Sequence, residues 1–152
     1  MDIVSFDTRS KMMAGIRSKN TRPEIELRKI LHSYGFRYRL NSKILNAKPD
    51  IVLPKYRTAI FVNGCFWHRH SECKYSTNPQ TNREKWQKKF AENIARDKRV
   101  TSTLLATGWR VAEIWECWLK RKMDISWLPN WIRSSEDAYI AWPKIKDFPA
   151  LQ

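Results

Sequence analysis

Residues 50–73 read DIVLPKYRTAIFVNGCFWHRHSEC, a run that holds two strands and then a loop crowded with cysteine, histidine and aromatic side chains. Asp50 opens the apolar stretch DIVL, residues 54–57 make a Pro-led turn, and TAIFV follows as a β-branched run, so 50–53 and 58–62 are predicted to pair as an antiparallel hairpin. Residues 83–106, REKWQKKFAENIARDKRVTSTLLA, repeat Trp86, Phe90 and Ile94 at helical spacing and predict the longest helix of the chain. After Gly108, WRVAEIWEC puts Trp109, Val111 and Trp115 on one face and Ala112 and Ile114 on the other, a strand apolar on both sides. Strand, long helix and strand form a crossover unit, which makes 58–62 and 109–115 parallel neighbours in an α/β fold.

Upstream, TRPEIELRKILHSYG predicts a helix opened by a capping box, with Thr21 accepting from the amide three residues on and Glu24 reaching back. Leu27, Ile30 and Leu31 form its apolar stripe and Gly35 stops it. FRYRL, residues 36–40, alternates apolar and basic side chains and reads as a strand with its arginines on the open face. The first twenty residues are basic and weakly periodic, so the expected organisation is an N-terminal arm over 1–20 and one domain over 21–152. Beyond Asp124 the pattern predicts only a short helix and a Pro-broken tail.

Twenty-nine Lys and Arg against fifteen Asp and Glu give a formal charge of +14, the footprint of a protein with a polyanionic partner, nucleic acid first. No apolar run is long enough to span a bilayer, and the N-terminus lacks the apolar core of a secretory signal, so the expected setting is the cytoplasm. Three cysteines cannot close a disulfide framework, and in a reducing compartment clustered Cys and His hold metal more often. Most of the eight tryptophans belong in a core, with a few placed to stack on bases.

Parallel pairing puts the C-terminal ends of the two long strands on one edge of the sheet. Cys65 follows one end and Cys117 the other, and His70 and Cys73 from the first loop complete the four N/S ligands of a closed structural zinc site. Three buried apolar cysteines and a surface histidine are the bland alternative. Asp50 stands at a strand end beside that loop, where a hard oxygen ligand suits Mg²⁺. His68 lies between two proposed zinc ligands with the wrong parity to join them, which leaves it to act as a general base. A Pro-Asp turn and a solvated histidine explain the same two residues without chemistry, and the capping box explains Glu24.

TRPE, KPDIVL, FVNGCFWHRHSEC, NREKWQKKFAENIARD and GWRVAEIWEC, in this order across residues 8–118, together resemble the very short patch repair endonucleases of the restriction-endonuclease-like superfamily. The resemblance implies a central mixed β-sheet flanked by helices, a structural Zn²⁺, and Mg²⁺-dependent nicking of double-stranded DNA 5′ of the thymine in a T·G mismatch. It implies that Asp50 binds Mg²⁺ with the main-chain carbonyl of Val62, that His68 acts at the scissile phosphate, and that Glu24 supports the water shell of the metal. It maps the zinc ligands onto Cys65, His70, Cys73 and Cys117. Phe66, Trp67 and Trp86 become a wedge between base pairs, although periodicity alone puts Trp86 in the core stripe, and Phe66 and Trp67 could simply cover the zinc. Lys89 and Asn93 fall where that family contacts the mispaired bases; unaided, they read as a solvated helix face. Asn63 stands where the family usually carries a histidine, and an amide cannot serve as acid or base. The expected state is a monomer working on the nucleoid.

Overall fold

The computed structural model describes residues 20–149. Of the basic arm expected over 1–20, all but Asn20 lies outside the described residues. The elements run α1 (Arg22–Ser33), β1 (Ile51–Leu53), β2 (Thr58–Asn63), α2 (Arg83–Ala106), β3 (Arg110–Trp115), α3 (Cys117–Lys120), α4 (Leu128–Ser134) and β4 (Tyr139–Trp142). They build a mixed sheet in the order β1-β2-β3-β4. β1 pairs antiparallel with β2, Ile51 opposite Ile60, through a 3₁₀ turn that Arg57 closes in the left-handed region at φ 47°. β2 and β3 are parallel from Thr58 opposite Arg110 to Asn63 opposite Trp115, the register that the crossover through α2 demands.

The pleat sends alternate residues to two different interiors. Ile51, Leu53, Ile60, Ala112 and Ile114 join Leu27 and Leu31 of α1, Trp118, and Leu128, Trp131 and Ile132 of α4 in the main core. On the α2 face Ala47, Ala59, Leu104 and Val111 form a small buried cluster, with Phe61, Val100, Leu105 and Trp109 packed against it.

Four features depart from the sequence reading. β4 pairs parallel with β3, Val111 opposite Tyr139, where a Pro-broken tail is expected. FRYRL keeps its alternation, with Phe36 buried and Tyr38 and Leu40 against the core, but pairs only through Arg39 with Val52. The outer edge of a three-residue β1 offers nothing longer to pair with. Thr21 is the N-cap of α1 yet makes no side-chain cap bond, and Glu24 takes the amide of Asn20, at 3.2 Å. Pro23 at N2 has no N–H to give, so the Thr21 hydroxyl has only the amide of Glu24 at N3 as a capping donor, and that bond does not form. Ile94 is 36% exposed although it continues the Trp86/Phe90 stripe, and Asn93 is buried in its place.

Candidate functional site

β2 and β3 end together, and the chain leaving β2 must turn over their ends. Glu116, just past β3, fixes that turn twice: its amide donates to the carbonyl of Asn63 at 2.9 Å, and its carboxylate accepts from the amide of Cys65 at 3.3 Å. Cys65 and Cys117 are thereby brought face to face. The ligand atoms of Cys65, His70, Cys73 and Cys117 all lie within 4.8 Å of one another, and all four residues are buried. Nδ1 of His70 is 3.5 Å from Sγ of Cys65 and 3.6 Å from Sγ of Cys117. A tetrahedral zinc with Zn–S of about 2.3 Å and Zn–N of about 2.0–2.1 Å needs S···N edges of about 3.6 Å, which these two edges match.

The surroundings of the cluster orient it. The Nε2–H of His70 donates to the carbonyl of Pro143 at 2.6 Å, which leaves Nδ1 to face the thiols, and its ring stacks on Trp115 with centroids 4.3 Å apart. Nη2 of Arg121 donates to Sγ of Cys73 at 3.4 Å. The hydrogen bond from the Cys65 thiol draws Cys117 down to about 4, helped by His70 and Arg121, while the same contact and burial push Cys65 up. One sulfur is thus disposed to be a thiolate, the form that binds a cation.

A cleft of about 1130 Å³ opens beside this knot and is lined by Glu24, Asp50, Val62, Asn63, Phe66, Trp67, His68 and Asp97. Asp50 immediately precedes β1, and its Oδ2 accepts the amide of Val62 at 2.6 Å, so the carboxylate is fixed against the end of β2. One carboxylate, a neighbouring main-chain carbonyl and a second carboxylate in the same wall form the sparse oxygen set that suits a hydrated Mg²⁺. Glu24 is only 6% exposed and its Oε2 accepts from Arg28 at 3.2 Å. The side chain of Asn63 is buried in the same wall.

His68 holds Oδ2 of Asp97 at 2.5 Å through Nδ1. Sequence reasoning missed Asp97, because the two residues are twenty-nine positions apart. The signal was there: Lys89, Asn93 and Asp97 succeed one another every four residues along one face of α2. That face is not the solvated surface its composition implies. Asn93 is buried and donates to the carbonyl of Trp67 at 3.3 Å, and the ammonium of Lys89 sits 4.7 Å from the Trp67 ring centre.

Phe66 and Trp67 cap the rim. Phe66 meets Trp86 and Phe90 edge-on, at 5.5 and 5.4 Å, and Trp67 meets Trp86 at 6.2 Å. Trp86 is 1% exposed, so it backs the other two from below. Arg22, Lys48, Arg96, Lys120 and Lys122 stand around the cleft.

The family described as DNA mismatch endonuclease Vsr matches residues 1–74. The chain is 47% identical over 116 residues to the type II nicking enzyme V.XorIIP of Xanthomonas oryzae pv. oryzae, across 76% of this chain and 85% of that protein. It is 40% identical over 125 residues to the DNA mismatch endonuclease Vsr of Escherichia coli, across 82% of this chain and 80% of that one. Among solved structures, the catalytic domain of the homing endonuclease I-Bth0305I aligns with a TM-score of 0.52 at 23% identity, over 74% of this chain and 94% of that chain, a likeness of fold. Among the described residues no helix is long and apolar enough to cross a membrane.

Proposed function

The chain belongs to the DNA mismatch endonuclease Vsr family, and from that premise we propose that it nicks one strand of duplex DNA 5′ of the thymine in a T·G mismatch, with Mg²⁺ as cofactor and Zn²⁺ as a structural staple. The observation that carries this reading is the meeting, in one cleft, of Asp50 locked to the end of β2, a His68–Asp97 pair, and the Phe66–Trp67 rim. A zinc-stapled binding module has no use for the first two.

Asp50 and the carbonyl of Val62 would hold Mg²⁺, with Glu24 facing its water shell, and the ion would supply electrostatic stabilisation of charge developing on the phosphate. Asp97 accepts from Nδ1 of His68, which would leave Nε2 to take or give a proton at the scissile phosphate. Asn63 can hydrogen-bond in the same wall but moves no proton, which concentrates proton transfer on His68 and water. Arg22, Lys48, Arg96, Lys120 and Lys122 would hold backbone phosphates and set register without reading sequence. Phe66 and Trp67 would enter the stack at the mismatch, where flat rings replace the stacking lost when a base step is pried apart. Trp86 would support them from beneath, with Asn93 holding the carbonyl of Trp67 and Lys89 over its ring, and Lys89 would extend toward the mispaired bases. The enzyme would act as a monomer in the cytoplasm, on the nucleoid.

The experiment is a nicking assay on end-labelled duplexes carrying one T·G pair in varied contexts, beside matched duplexes, with and without Mg²⁺. Mg²⁺-dependent cutting 5′ of the mismatched thymine is expected. Equal cutting of matched DNA would replace mismatch recognition by site-specific cleavage, and cutting of neither would leave only binding.

A further inference from the structure

Two consecutive main-chain carbonyls carry the rim aromatics, and each is tied by a side chain from a different direction. Asn93 on α2 holds that of Trp67. The carbonyl of Phe66 accepts from Nη1 of Arg69 at 3.2 Å, and this guanidinium is the hub of the whole loop. It also donates to the carbonyls of Thr77 at 2.9 Å and Ser76 at 3.2 Å, and to Oδ1 of Asn78 at 2.7 Å. Its Cζ lies 4.1 Å from the ring centre of Phe90 and 5.5 Å from that of Phe66. Arg69 itself sits at φ 57°, in the left-handed region that an L-residue occupies only when its surroundings hold it there. That turn brings the side chain back over residues 66 and 76–78. Every acceptor it uses belongs to this loop; none belongs to the sheet.

We propose that Arg69 is a positioning residue for mismatch recognition, which fixes the Phe66–Trp67 step by clamping it to the 76–78 segment before DNA arrives. The proposal rests on the wedge role read above for Phe66 and Trp67. The physical gain is pre-organisation: a wedge already held in its entering geometry loses little freedom on binding, so more of the stacking contact appears as distortion of the mismatch. The donor pattern requires a planar fork that reaches four acceptors and stacks on a ring at once. A lysine has the charge but neither the fork nor the plane.

The test compares wild type with Arg69→Lys and with Asn78→Ala, which deletes the side-chain acceptor of the clamp and leaves the arginine in place. Zinc content and thermal melting are measured on all three. The probe is a duplex with one T·G pair and 2-aminopurine beside it, titrated to saturation without Mg²⁺, so that fluorescence reports unstacking independently of affinity and cleavage. Nicking of T·G and matched duplexes follows. Wild type should unstack the probe. Arg69→Lys should keep zinc and matched-DNA affinity, lose most of the unstacking signal, and lower the T·G-to-matched nicking ratio by about tenfold, within what a misplaced positioning group costs. Asn78→Ala should move the same quantities in the same direction by less, and it decides the matter if Arg69→Lys fails to fold. Unstacking equal to wild type in a zinc-loaded variant would overturn the role of Arg69 alone. No unstacking by wild type would instead overturn the wedge reading, and the clamp with it.

Discussion

The two faces of the sheet solve different problems with the same strands. On the face toward α1 and α4 every strand contributes apolar side chains, and Leu27, Leu31, Ile60, Ile114, Leu128 and Ile132 are almost entirely removed from water. On the α2 face the apolar rows stop after Val52, Ala59 and Val111; the next row across the sheet holds Asp50, Phe61 and Glu113, and the row after that Asn63 and Trp115. Chemistry begins where the packing ends. A carboxylate or an amide buried there costs free energy unless it is bonded, and Asp50 is satisfied by Val62, Glu113 by the hydroxyls of Thr101 and Tyr139. With so little apolar burial at that end, the Cys65–His70–Cys73–Cys117 knot takes over the work of holding the loop.

That contrast is sharpest at Cys117. Replacing it by serine removes one of four candidate ligands from a small cluster packed against Tyr75, Trp115 and Phe148, so Cys117→Ser is expected to lose bound zinc and to destabilise the protein by more than the about 2–5 kcal/mol of an aliphatic truncation. Metal analysis and thermal melting check both; a zinc-free protein that melts like wild type would break the comparison. On the other face, Ile114→Ala should cost about 2–5 kcal/mol of stability, read by denaturant titration, while zinc content and the nicking rate of the folded fraction stay unchanged.

Asp50→Asn sharpens the contrast from the chemical side. The substitution keeps the shape and removes the charge, and the amide oxygen can still accept from Val62, so fold and zinc should persist. DNA affinity without Mg²⁺ should hold or rise, because a negative charge facing a phosphate is gone. Single-turnover nicking of a T·G duplex should fall by at least about two orders of magnitude, the effect expected if Asp50 holds a Mg²⁺ that supplies several kcal/mol. Nicking at the wild-type rate would remove Asp50 from the chemistry.

How much of this was legible follows the same division. β2, α2 and β3 are each long and strongly patterned, so the sequence carries their crossover and, through it, the meeting of Cys65 and Cys117. β4 is four residues between loops and pairs only with β3, so nothing local marks YIAW as a strand. Ile94 obeys the helical period but opens onto a cleft, 36% exposed, and the period cannot say what lies beneath it. Asp97 was hidden for a related reason: its meaning depends on His68, which arrives on the loop after β2. Arg69 reads as one more basic residue between two histidines until the loop is folded around it.

The smallest effect is expected at Trp67, and it tests whether the rim belongs to the packed part of the molecule or to the working part. Trp67 is half-buried, edge-on to Trp86, with its carbonyl on Asn93 and Lys89 over its ring. If it were core, Trp67→Ala would cost about 3–5 kcal/mol, the usual price of deleting a buried aromatic. The carbonyl bond to Asn93 survives the substitution, however, and Trp86 keeps its contacts with Phe66 and Phe90. Thermal stability should therefore change little. Binding to a T·G duplex should weaken by about tenfold, the ~1–3 kcal/mol that one stacked base is worth to an aromatic partner, and binding to matched duplex should stay as it was, because phosphate contacts carry it. The measurement is a pair of titrations at one fixed salt concentration beside a melting curve. A large loss of stability with unchanged preference for the mismatch would return Trp67 to the core and leave Phe66 as the wedge.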